Sequence, residues 1–106
     1  MKKVLFIDKL HPFLFNHLEK NGYHCVEGYD LQIQEVQAII SDFYGLVIRS
    51  RFKIDNDFLD NCSQLKFIAR GGSGMENINL KSAQQKGISC FNAPEGNRQA
   101  VAEHAL

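Results

Sequence analysis

Val4-Leu5-Phe6-Ile7 is an unbroken run of apolar strand formers with no polar residue inside it. A strand that does not alternate must be covered on both faces, which is the situation of a strand in a parallel sheet. What comes next fits that reading. Leu10, Phe13, Leu14, His17 and Leu18 recur at steps of three and four behind Pro12, a residue suited to a first helical turn, and Gly22 supplies the stop. A strand leading directly into an amphipathic helix is the repeating unit of wound α/β folds.

The alternation continues to the end of the chain. A short strand is expected near Cys25-Val26, followed by a helix started by Asp30 with Ile33, Val36, Ile39 and Ile40 as its apolar stripe. Gly45 to Ile48 reads as a third strand. Asp55 is an N-cap, with Ile54 and Leu59 at the positions of a hydrophobic staple, for a helix carrying Phe58, Leu59 and Cys62. Leu65 to Ala69 is the fourth strand. Asn79 caps a short helix through Lys86 that Gly87 ends in a left-handed conformation, and Ile88 to Phe91 is the fifth strand. Strands alternating with helices, joined by right-handed crossovers, point to an α/β fold, a flavodoxin-like, doubly wound, parallel five-stranded sheet, and the order 2-1-3-4-5 is expected. The 106 residues hold one such domain. Only the final Gln99 to Leu106 stands apart: it has strong helix composition with no Gly, Asn or Pro to end it, as if the chain were cut inside a helix.

Charge and cysteine content exclude several classes of function. Twelve basic residues balance twelve acidic ones, so no net field draws the chain to nucleic acid or to a membrane surface. Four apolar residues after Lys2-Lys3 are too few for a secretory or membrane-spanning segment, which need roughly 7–15 and about 20 respectively. A cytoplasmic location is expected. Cys25, Cys62 and Cys90 lack C-x-x-C spacing and read as buried thiols, and Asn61-Cys62-Ser63 is a glycosylation sequon with no route to the secretory pathway. The four histidines fall at no metal-ligand spacing.

Ligands of open parallel sheets bind beyond the carboxyl ends of the strands. The segments there are Asp8-Lys9-Leu10, Arg49-Ser50-Arg51, Arg70-Gly71-Gly72-Ser73-Gly74 and Asn92 to Asn97. Residues 1–60 carry seven basic and nine acidic side chains, and residues 61–106 five and three, so the glycine-rich turn lies in the more positive part. Arg49 and Arg70, ending neighbouring strands, are expected to bring two guanidinium forks together, a geometry suited to carboxylate or phosphate, with Ser50 and Asn97 adding neutral hydrogen bonds. Gly71 and Gly72 let the backbone approach an anion closely. Against this stand ordinary readings: each Arg paired with a surface acid such as Asp42 or Glu76, and the glycines forming a plain tight turn.

The glycine segment is not a dinucleotide fingerprint, because Asn77 stands where the third glycine belongs and the segment follows the fourth strand. Asp8-Lys9-Leu10-His11 is not a flavin phosphate loop either. A phospho-receiver would need clustered acids after strand one and an Asp after strand three, where Asp8 stands alone and Arg49 follows. Neither the serines nor the carboxylates assemble into catalytic machinery, so no catalytic or metal-binding residue is assigned.

From Val47 onward the sequence resembles the D-2-hydroxyacid dehydrogenase family. The resemblance is carried by Ile48-Arg49-Ser50-Arg51, by Leu65 through Ile78 with its Ala69-Arg70-Gly71-Gly72-Ser73-Gly74 core, by Lys86-Gly87-Ile88, by Phe91-Asn92-Ala93-Pro94-Glu95-Gly96-Asn97, and by Val101 through Leu106. The loop Ala93 to Arg98 is most similar to that of members acting on 3-phosphoglycerate, whose oxidation at the 2-hydroxyl leads toward serine. Met75, Glu76 and Asn79 depart from the commoner Val, Asp and Asp.

The resemblance implies a two-domain, NAD-dependent oxidoreductase, homodimeric as a whole. In it residues 1–98 are the substrate-binding domain and residues 99–106 begin the helix leading to a nucleotide-binding domain that binds most of the NAD. By position it implies that Arg49, Ser50, Arg70, Gly71, Gly72 and Asn97 hold an anionic 2-hydroxy or 2-oxo acid, with Arg51 matched in some members only. His104 falls on the connecting helix and is not the family's catalytic His. The isolated 106 residues are expected to be inactive. A stand-alone small-anion binding or regulatory module of the same fold is the competing reading. A G-x-G-x-x-G within about 50 residues downstream of Leu106 in the coding frame separates the two.

Overall fold

In the computed structural model, which describes residues 2–10, 12–49, 52–71 and 77–93, five strands form one all-parallel sheet. They are β1 (Lys3–Phe6), β2 (His24–Glu27), β3 (Gly45–Ile48), β4 (Phe67–Gly71) and β5 (Ser89–Ala93), in the order β2-β1-β3-β4-β5. This is the expected 2-1-3-4-5 arrangement. Four helices connect the strands: α1 (Pro12–Lys20), α2 (Ile33–Ile39, extended by a 3-10 turn at Ile40–Asp42), α3 (Asn56–Leu59) and α4 (Leu80–Gln85).

The absence of alternation in β1 has the predicted cause. Leu5 and Ile7 enter one buried cluster with Val36 of α2, Phe58 of α3 and Ala83 of α4, while Val4 and Phe6 enter another with Leu14 and Leu18 of α1. The sheet is thus covered by α1 on one face and by α2, α3 and α4 on the other, the two-sided winding that right-handed crossovers produce. Gly45 is needed for packing: a Cβ there would lie 2.2 Å from the Phe67 ring, so the ring occupies the space a side chain would take.

Local signals hold where they are strongest. Asp55 Oδ1 accepts from the Phe58 N–H at 3.0 Å and Asn79 Oδ1 from the Ser82 N–H at 3.1 Å, both as N-caps. Gly22 and Gly87 sit at φ of 90° and 75°, in the left-handed region where glycine carries no Cβ penalty.

Strands one and five run over Lys3–Phe6 and Ser89–Ala93 in place of residues 4–7 and 88–91, and four further details differ from the sequence reading. The second helix starts after Gln32, whose N–H donates to Glu35 Oε1 at 2.8 Å, and not at Asp30. The third helix ends at Leu59, leaving Cys62 in the following turn. There the Cys62 N–H donates to the Leu59 carbonyl at 3.0 Å. The fourth strand begins and ends two residues later than expected, because β5 continues alongside it and pairs Arg70 with Asn92 and Gly71 with Ala93. Of the three thiols, Cys25 and Cys62 are buried but Cys90 only half-buried.

Candidate functional site at the carboxyl edge

The shift of β4 changes where the candidate residues stand. Arg70 and Gly71 lie on the strand itself, level with Ile48 and Ala93 respectively, while Arg49 is the first residue past β3. The two arginines are neighbours across the sheet, as expected, but their stems leave it on opposite faces. Arg70 is two residues beyond Ile68 and level with Ile48, which places it on the α2–α4 side. Arg49 Cγ lies 3.3 Å from where a Gly71 Cβ would be, on the α1 side beside Leu10. Neighbouring strands supply proximity; the pleat decides the face.

Arg70 is only 9% exposed. Its Nε donates to Asn77 Oδ1 at 2.6 Å and its Nη1 to the Gly71 carbonyl at 3.2 Å. Both acceptors are neutral, so the charge sits at the sheet edge held by dipoles. Asn77 does more than accept: its Nδ2 donates to the carbonyls of Arg49 and Phe52, each at 2.9 Å. Its backbone continues the tie, since the Ile54 N–H donates to the Asn77 carbonyl at 2.7 Å within an isolated bridge between Ile54 and Ile78. Asp8, just past β1, takes the Arg49 N–H on Oδ2 at 2.7 Å.

Gly71 has a packing role. A Cβ there would approach Leu10 Cδ2 to 2.6 Å, so Leu10 has settled onto bare backbone. Ser50, Gly72 and Asn97, with Arg51 and the helix-forming residues 99–106, lie outside the described residues. Asp8 and Asn77, the residues that fix this edge, were not singled out as site residues. In the sequence Asn77 stands at the place of a missing third glycine and within the Leu65–Ile78 resemblance, and two of its partners are 25 and 28 residues away, a separation no local pattern reveals.

Other groups near this edge have recognisable environments. A hollow of about 130 Å³ between the ends of β1 and β2 and the start of α1 is lined by Lys9, Leu10, Phe15 and Tyr29 among others. That is well below the roughly 300 Å³ at which ligand pockets begin. Burial, and after it the neighbouring Glu27 carboxylate, raises the Tyr29 hydroxyl above its ordinary 10.0. Away from the edge, burial pushes the Cys25 and Cys62 thiols up to about 12, with Glu19 adding to the effect at Cys25, and raises Cys90 as well.

A parallel five-stranded sheet in 2-1-3-4-5 order, with a polar cluster at its carboxyl edge, defines a flavodoxin-like α/β domain. Residues 4–105 match the model of the D-isomer specific 2-hydroxyacid dehydrogenase catalytic domain, and the chain belongs to that family. It is 35% identical over 103 residues to the D-3-phosphoglycerate dehydrogenase of Sus scrofa, covering 97% of this chain and 19% of that protein. With the enzyme of the same name from Synechocystis it shares 40% over 106 residues, covering 100% of this chain and again 19% of the relative. The chain therefore spans about a fifth of the length of the curated relatives it matches.

Among solved structures, the PH0520 protein from Pyrococcus horikoshii OT3 superposes with a TM-score of 0.81 at 26% identity, over 97% of this chain and 31% of that one. The cofactor (NAD+) bound 3-phosphoglycerate dehydrogenase of Entamoeba histolytica does so with a TM-score of 0.73 at 30% identity, over 96% and 36% respectively.

Proposed function

We propose that this chain is the substrate-binding part of an NAD-dependent D-2-hydroxyacid dehydrogenase acting on 3-phosphoglycerate. The observation that carries the reading is Arg70, a nearly buried guanidinium held by neutral oxygens at the carboxyl edge of a sheet whose sequence the family model matches from residue 4 to 105. A planar fork in that setting suits a carboxylate or phosphate. Arg49, Ser50, Gly71, Gly72 and Asn97 are assigned with it to the anionic 2-hydroxy or 2-oxo acid, on the strength of their matching positions. The relatives named D-3-phosphoglycerate dehydrogenase favour the phosphorylated substrate.

We assign no nucleotide contact to this chain. β1 runs into Asp8-Lys9-Leu10, and Leu10 is buried against Gly71 where a dinucleotide site needs an open glycine turn. NAD is therefore assigned to the remainder of the parent enzyme, in a nucleotide-binding domain that residues 99–106 lead into, and the homodimer to that remainder also. What this chain contributes is orientation: holding the acid in a near-attack geometry removes several kcal/mol from a barrier. A cytoplasmic setting agrees with three free thiols. No helix among the described residues is long and apolar enough to cross a membrane.

The test is the full reading frame, expressed and assayed by NADH absorbance with 3-phosphoglycerate at alkaline pH, beside the 106-residue chain. Turnover by the long form alone is expected. Turnover by the short chain would overturn the division of labour, and silence of a folded long form toward several 2-hydroxy acids would overturn the activity.

A further inference from the structure

We propose that Asn77 is a positioning residue, whose side-chain amide sets the orientation of Arg70 toward the anion and locks the turn after β3 to the end of β4. The inference rests on the proposed role of Arg70 and adds a residue to it.

The amide's polarity is fixed by its partners. Arg70 Nε carries a hydrogen and can only donate, so it must face Oδ1, at 2.6 Å; the carbonyls of Arg49 and Phe52 can only accept, so both must face Nδ2, at 2.9 Å each. Both Nδ2 hydrogens are thereby used, and the oxygen meets the one cation. The result is one planar group joining three points of the chain.

Those points bracket the candidate binding segments. Arg49 and Phe52 flank residues 50 and 51, and Arg70 with Gly71 on one side and Asn77 on the other flank residues 72–76. The Asn77 carbonyl and the Asn79 N–H both bond Ile54, at 2.7 and 2.8 Å, which anchors the amide from behind. An arginine of this type has four rotatable side-chain bonds. Tying Nε to a fixed acceptor removes most of that freedom before the ligand arrives, so less is lost on binding.

Asparagine is specifically suited to this position. Asp is isosteric and would accept from Nε more strongly, but it would aim an anionic oxygen at two carbonyls. Gln adds a methylene, and Ser or Ala cannot span all three partners. The consequence is that Asn77→Asp disturbs the turn while leaving a carboxylate on Arg70, where it competes with the substrate's own anion.

The experiment is a double-mutant cycle in the full-length enzyme with Arg70→Ala, Asn77→Asp and the pair, reading KM for 3-phosphoglycerate, KM for NAD and kcat. Each single variant is expected to raise KM for the acid at least fivefold and to change KM for NAD less than twofold. In the Arg70→Ala background, Asn77→Asp should add less than threefold, because its target is gone. A full, independent effect in that background, or equal changes in both KM values, would show a merely structural residue and overturn the inference while leaving the anion assignment of Arg70 intact. No effect of Arg70→Ala itself overturns both.

Should Asn77→Asp not fold, the cycle is run with Asn77→Ser. In the unsubstituted enzyme, the Arg70 Nε–H should exchange slowly with water by nitrogen-15 NMR. Exchange as fast as that of a surface arginine overturns the inference without any variant.

Discussion

The two ends of the sheet are built from different materials. At the carboxyl edge, Asp8, Arg49, Arg70 and Asn77 join the ends of β1, β3 and β4 by polar bonds of 2.6 to 2.9 Å. At the amino edge, on the α1 face, Tyr23, Tyr44, Phe67 and Phe91 meet in ring contacts with centroids 5.8 to 6.5 Å apart. The amino edge also carries the larger hollow, about 530 Å³ and open, lined by these four rings with Lys66 and Ser89 among others. The proposed anion residues lie at the opposite edge, where strand-to-helix turns of parallel sheets open. Aromatic packing supplies stability without direction; hydrogen-bonded clusters supply direction at a modest net gain.

Each edge should fail in its own way when its residues are cut back. The largest effect is expected from Phe67→Ala, which empties a side chain 4% exposed and touched by three other rings. It should lower unfolding free energy by about 3–5 kcal/mol in a denaturant titration. KM of the surviving folded enzyme for the acid should stay within twofold, and a rise above tenfold would assign the aromatic edge to binding.

Arg70→Ala should do the converse, weakening binding of the phosphorylated acid by about 1–3 kcal/mol, the worth of a charged hydrogen bond. Arg49→Ala belongs to the same class. Unchanged KM in both variants removes the anion pocket from the carboxyl edge.

Asp55→Ala lies outside both edges and calibrates them. Loss of the cap on α3 should cost about 1 kcal/mol of stability and leave KM unaltered. A pH dependence stands apart from the substitutions. Cys25 and Cys62 are raised from 9.0 to about 12 in the folded protein, so the fold favours the neutral thiols. Their contribution is fully present below pH 9 and is lost as pH rises from about 9 toward 12. Urea midpoints measured at pH 7, 9 and 10.5 should fall mostly across the last interval, and less steeply in Cys62→Ala than in the parent.

The residues legible in the sequence are those whose partners are close in the chain. Asp55 and Asn79 were recognised as caps because each bonds an N–H three residues on, and Gly87 because a helix end needs a left-handed residue. The parallel, doubly wound sheet is read from the strand–helix alternation, and its order is the one expected of a flavodoxin-like fold. The extent of β4 was not legible, because its last two residues are strand only through pairing with β5. Nor could sequence reveal that Leu10 packs onto Gly71, that the two arginine stems part at the pleat, or that Asn77 links three segments. Each depends on contacts made across the sheet after folding. The family resemblance reached Arg70 by position; the structure supplies what holds it.

Gly45 and Phe67 are level with each other on β3 and β4, and the ring fills the space above the glycine. Two positions that share one volume cannot drift independently over evolutionary time. Any lineage of this family that acquires a side chain at the place of Gly45 must first, or together with it, shrink the residue at the place of Phe67. The pair should therefore appear across relatives as small-with-large or large-with-small, a covariation written by a single aromatic ring.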